Sequence, residues 1–132
     1  MGDLSAEEKT AISMQAAADK KAMDVIVLDM REASSITDYF LLCAGGSERQ
    51  VQAIADAIDE QMSRHGVASL GVEGYREARW ILMDYGDVVV HVFSPDTREF
   101  YDLERLWSNA PQVEISGASV ANGARLRDTS MG

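Results

Sequence analysis

The apolar and polar positions of this chain divide it into short β-like runs and one strongly periodic helix. Ser5 followed by Glu8 has the spacing of a capping box, and the alanine-rich stretch after it predicts a helix to about residue 22. VIVLDM, at 25–30, is a short run rich in β-branched residues and predicts a buried strand. Ser34, Ser35 and Thr37 mark a loop. YFLLCA, at 39–44, predicts a second strand, which Gly45 and Gly46 end. Ser47 and Gln50 then repeat the capping-box spacing, and Val51, Ile54, Ala55, Ile58 and Met62 recur on one side of a helix that Gly66 closes. Residues 67–72 add a short edge strand.

Further on, residues 79–84 and 88–93 are apolar runs joined by Tyr85, Gly86 and Asp87, which reads as a β-hairpin. Ser94-Pro95-Asp96 opens a last helix through Trp107, with Phe100, Leu103 and Trp107 on one side. Asn109-Ala110-Pro111 ends it. Residues 112–132 are small, polar and aperiodic, and predict a disordered tail. The expectation is one α/β domain over 1–111 with a mixed sheet. Its hairpin is antiparallel and its earlier strands pair through crossovers.

The hairpin raises the first functional question. Side chains alternate along a strand, so Trp80, Leu82 and Asp84 point one way and Ile81 and Met83 the other. Val88, Val90 and Val92 likewise oppose Val89, His91 and Phe93. Both faces of the hairpin are therefore apolar. Either helices bury both, with Trp80 in the core, or one face stays open and marks a partner site, with Trp80 as its anchor.

Charge favours a basic partner. The 132-residue chain carries a net charge of −10. Between Asp84 and Glu104 lie six acids and one base, Arg98. Such a surface repels nucleic acid, so no direct DNA binding is expected, and it complements a basic protein. The single cysteine, Cys43, excludes an internal disulfide framework and any multi-cysteine zinc site. No run approaches the roughly 20 apolar residues of a membrane span. The start, MGDLSAEEK, lacks the basic-then-apolar form of a signal peptide. A cytoplasmic location is the expectation.

Chemistry has three candidate places. Gly45-Gly46-Ser47 could cradle a phosphate at a helix N-terminus, or could simply turn the chain into a capped helix. No Walker lysine or G-x-G-x-x-G pattern accompanies it. A nucleotidyltransferase using this turn also needs an acidic pair for its metals. The next pair, Asp56 and Asp59, falls on the polar side of the periodic helix instead. His91 reads as a general base or as a hydrogen-bonded histidine on a packed sheet face. Cys43 has no basic neighbour in sequence and reads as an inert core thiol.

VIVLDM, SSITDYF, GGSERQVQAIAD, VEGY, ARWILMDYGDVVVHVF and REFYDLERLW, in this order and spacing, resemble the ribosomal silencing factor family, also called the Iojap family. The likeness covers roughly residues 16–111. It implies a nucleotidyltransferase-like α/β fold without the metal-binding acids, no catalysis and no cofactor. The implied partner is a basic protein of the large ribosomal subunit, the fourteenth in its standard naming, at the face that meets the small subunit. Binding there blocks subunit joining and represses translation; homodimers also occur in the family. The motif W-x-x-x-D-x-G-D carries the contact, which here places it on Trp80, Asp84, Tyr85 and Asp87. Leu82 joins them through the alternation argument. Tyr85 departs from the aliphatic residue common in relatives.

Overall fold

The computed structural model describes residues 4–115. The elements are α1 (Ala6–Asp19), β1 (Met23–Asp29), β2 (Tyr39–Ala44), α2 (Glu48–Arg64), β3 (Gly71–Glu73), β4 (Trp80–Asp84), β5 (Val88–Phe93), α3 (Pro95–Tyr101), α4 (Leu103–Leu106) and β6 (Gln112–Val113). The strands form one mixed sheet in the order β3-β4-β5-β2-β1-β6. Among the described residues only β2 and β5 run parallel, joined by a crossover that contains α2. β1 and β2 pair directly as antiparallel neighbours through the loop at 30–38, so the expected crossover between them is replaced by a simple reversal.

Both long helices begin as their caps require. The Ser5 hydroxyl accepts the Glu8 N–H at 3.0 Å, and the Glu8 carboxylate accepts the Ser5 N–H at 2.8 Å. At α2 the Ser47 hydroxyl accepts the Gln50 N–H at 3.1 Å. The return bond is displaced by one residue, because Gln50 Oε1 accepts from Gly46 N–H at 2.7 Å. The helix buries the periodic set Val51, Ile54, Ala55, Ile58 and Met62. Complete burial of each large aliphatic side chain stabilises the fold by about 1.5–3 kcal/mol.

The register separates the two faces of the sheet. Tyr39, Leu41 and Cys43 of β2 share one with Val88, Val90 and Val92 of β5 and with Ile81 and Met83 of β4. These residues are fully or almost fully buried in one cluster with the apolar sides of α1 and α2. On the other face Leu28, Met30, Leu42, Phe93, Leu103 and Ala110 form a smaller cluster, with Phe40, Trp80 and Trp107 half-buried against it. The sheet is thus covered completely on one side and partly on the other.

Two expectations need correction in the C-terminal part. The last helix is not continuous to Trp107. Asp102 takes the left-handed conformation, φ 48° and ψ 60°, and divides it into α3 and α4. Leu103 consequently turns into the core, while Phe100 is 79% exposed. Residues 112–115, expected in the tail, also belong to the fold. Val113 and Leu28 pair with Val27 and Gln112 respectively across β1 and β6, and Ile115 is buried in the main cluster. The alternation Val113-Glu114-Ile115 was a strand signal, and residues 116–132 of the expected tail lie outside the described residues.

Candidate partner-binding face

The partly covered face can be built row by row from the strand register. Trp80 lies beside Phe93, and Phe93 beside Ala44. The next row runs Glu73, Leu82, His91, Leu42 and Ile26 from β3 to β1. The row after that runs Gly71, Asp84, Val89, Phe40, Leu28 and Gln112. Trp80, Leu82, Asp84, Val89 and Phe40 remain half-exposed, whereas His91 and Leu42 beneath them are buried.

Trp80 is held from several sides. Its ring centroid lies 5.2 Å from Phe93 and 4.9 Å from Tyr101 of α3. Its indole N–H donates to His91 Nδ1 at 3.0 Å. Phe40 packs edge-on against His91 at 4.5 Å and against Trp107 at 5.9 Å. Beside Trp80 opens a groove of about 510 Å³ lined by Tyr101, Phe100, Asp96 and Glu77, with Arg79 and Thr97 also at its wall. Arg98, the base within the acidic C-terminal stretch, is already engaged: it donates to the Asp24 carbonyl and to Glu104, the latter at 3.0 Å.

The five residues expected at a contact do not share one surface. Trp80, Leu82 and Asp84 do. Asp84 also shapes the turn, because its Oδ1 accepts the Gly86 N–H at 2.8 Å. Tyr85 points to the opposite face, where it is 3% exposed and donates its hydroxyl to Asp59 at 2.8 Å. Burial, with the Asp59 bond second, pushes its phenol pKa well above the usual value. Asp87 turns toward α1 and pairs with Lys9 at 2.9 Å. Its carbonyl accepts from the Asp38 and Tyr39 N–H groups, which fastens the hairpin turn to the start of β2. Phe40, Val89, Tyr101 and Trp107 complete the open face. Sequence alternation suggests Val89, but Phe40 becomes its neighbour only through the parallel pairing of β2 with β5.

The other candidate places take part in capping and packing. At the glycine turn, the Gly46 and Gln50 N–H groups are already bound, to Gln50 Oε1 and Ser47 Oγ. A Cβ on Gly45 would meet the Val51 backbone nitrogen at 2.9 Å, so this glycine lets α2 approach β2 closely. Asp56 is exposed on α2 and accepts from Tyr75 at 3.1 Å. Among the described residues no group of three or more His, Cys, Asp or Glu side chains could hold a metal ion. Cys43 is buried, and burial pushes its thiol up to about 12, which keeps it protonated. Among the described residues no helix is long and apolar enough to cross a membrane.

Comparison with known proteins agrees with this architecture. A family described as ribosomal silencing factor during starvation matches residues 3–131. The ribosomal silencing factor RsfS of Halalkalibacterium halodurans is 47% identical over 114 residues, covering 86% of this chain and 97% of that protein. Its Bacillus subtilis counterpart is 48% identical, covering 82% and 93%. A Chromobacterium violaceum crystal structure superposes with a TM-score of 0.78 at 36% identity, over 80% of this chain and 88% of that one. The chain belongs to the ribosomal silencing factor family, whose role is ribosome-associated silencing of translation.

Proposed function

We propose that this protein represses translation in the cytoplasm by occupying a basic protein of the large ribosomal subunit, the fourteenth in its standard naming, at the face that meets the small subunit. The bound domain stands where the small subunit would dock, so joining is blocked by steric exclusion. No bond is made or broken, and the extent of silencing follows affinity and copy number.

The observation that carries this reading is the half-covered sheet face. Trp80, Leu82, Val89 and Phe40 offer an apolar centre with an aromatic anchor, while Asp84, Glu73 and, at the groove beside Trp80, Asp96 supply negative charge around it. An apolar centre gives affinity and an acidic rim steers a basic surface into register. Trp80 is already ordered by three neighbours, which lowers the entropy lost on binding.

The test is a subunit-joining assay with purified ribosomal subunits and this protein in excess. The large subunit should carry the protein through a sucrose cushion, and the fraction of joined ribosomes should fall in proportion to occupancy. Saturated large subunits that still join small subunits at the normal rate would overturn the proposal.

A further inference from the structure

His91 lies at the centre of the half-covered face and is 3% exposed. Leu82 and Leu42 flank it in the sheet, Phe40 meets its ring edge-on, and Phe93 lies parallel to it at 6.1 Å. Its polar partner is the Trp80 indole, at 3.0 Å on Nδ1. An indole N–H can only donate, so Nδ1 presents its lone pair and the neutral ring carries its proton on Nε2. That second nitrogen is buried, with no hydrogen-bond partner among the described residues.

A phenylalanine would fill much the same space without burying an unpartnered N–H, which the fold here tolerates at a cost. What a histidine adds is the acceptor for Trp80. Ring contacts with Phe93 and Tyr101 restrict the indole, and the directional bond to Nδ1 selects between its flipped orientations. A half-exposed tryptophan without that bond would sample several rotamers, and only the fraction in the correct one would dock.

We infer that His91 is a positioning residue for partner binding: through Nδ1 it holds the Trp80 indole in the single orientation that the half-covered face presents. The inference rests on the proposed use of that face.

The test compares wild type with His91→Phe and His91→Asn. Phenylalanine keeps the ring and loses the acceptor; asparagine can place its carbonyl oxygen near the position of Nδ1. Two readouts are needed. One is hydrogen exchange of the Trp80 indole N–H by NMR, assigned by the loss of the other indole signal in Trp107→Phe. The second is affinity for purified large subunits. In His91→Phe the indole proton should lose its protection and affinity should fall about tenfold, with urea unfolding used to confirm a folded protein. His91→Asn should retain protection and most of the affinity. If the phenylalanine variant does not fold, His91→Leu takes its place. A folded acceptor-less variant that binds within twofold of wild type overturns this inference alone. Wild-type protein that does not bind large subunits overturns the proposed function and this inference together.

Discussion

The two faces of the sheet are made from similar strands yet finished differently. Beneath α1 and α2, Leu41, Val90, Val92, Ile81 and Met83 are buried in one cluster with Ile54, Ile58 and Met62. Polar atoms at that margin are tied inward, as Tyr85 is to Asp59 and Tyr39 is to Glu7, both at 2.8 Å. The opposite face has two short helices for a cover, and Trp80, Leu82, Asp84, Val89 and Phe40 stay half-exposed. Closure on one side supplies the stability that allows an unfinished apolar surface on the other. Under the proposed function, stability and recognition fall to different faces of the same strands, and substitutions should separate them.

The largest effect belongs to the covered face. Ile58→Ala should lower unfolding free energy by about 2–5 kcal/mol, measured in urea, while the folded fraction binds large subunits as wild type does. Loss of binding by the folded fraction would show that the two faces are coupled.

Next comes pH. Burial lowers His91 from the usual 6.5 to about 4 in the folded protein. The unfolded chain therefore binds the proton first as pH falls. This group's contribution is fully present above pH 6.5 and is lost as pH falls toward 4, on the order of 2–3 kcal/mol. His91→Phe should flatten that part of the stability profile between pH 7 and 4.5. An unchanged slope would mean that the histidine is hydrated in solution.

Trp80→Ala should weaken large-subunit binding by at least about 1–2 kcal/mol, read by co-sedimentation. Because Trp80 also packs on Phe93 and Tyr101, some stability will go with it, so affinity must be referred to folded protein. The smallest effect is Asp84→Asn. It keeps an oxygen for the Gly86 N–H and removes the charge, so stability should stay within about 0.5 kcal/mol. Association should slow, with a shallower dependence on salt. An association rate unaffected by the substitution would remove Asp84 from the steering rim.

Much of this division can be seen in the sequence, for reasons that also explain what cannot. The period of α2 and its Ser47 cap are local, and both appear in the structure. The hairpin alternation correctly places Trp80 and Leu82 opposite Ile81 and Met83. Phe40 could not be placed beside Val89 from sequence, because the parallel pairing of β2 and β5 joins strands far apart in the chain. Nor could the break at Asp102, where an aspartate adopts a left-handed conformation that local pattern does not announce and carries Phe100 away from the buried side. Motif likeness treats Trp80, Asp84, Tyr85 and Asp87 as one group. Geometry divides them, giving Tyr85 to the covered face and Asp87 to Lys9.

Leu82 tests the division most directly, since it is half-exposed at the centre of the open face with no polar role. Leu82→Arg would set a cation and a larger side chain against a basic partner. Ala18→Arg, at an exposed position of α1, is the matched control. Affinity for purified large subunits and the urea midpoint should be measured on both. Leu82→Arg should lose at least about tenfold in affinity with its midpoint close to wild type, and Ala18→Arg should keep both. A Leu82→Arg protein that binds large subunits as tightly as wild type would contradict that division.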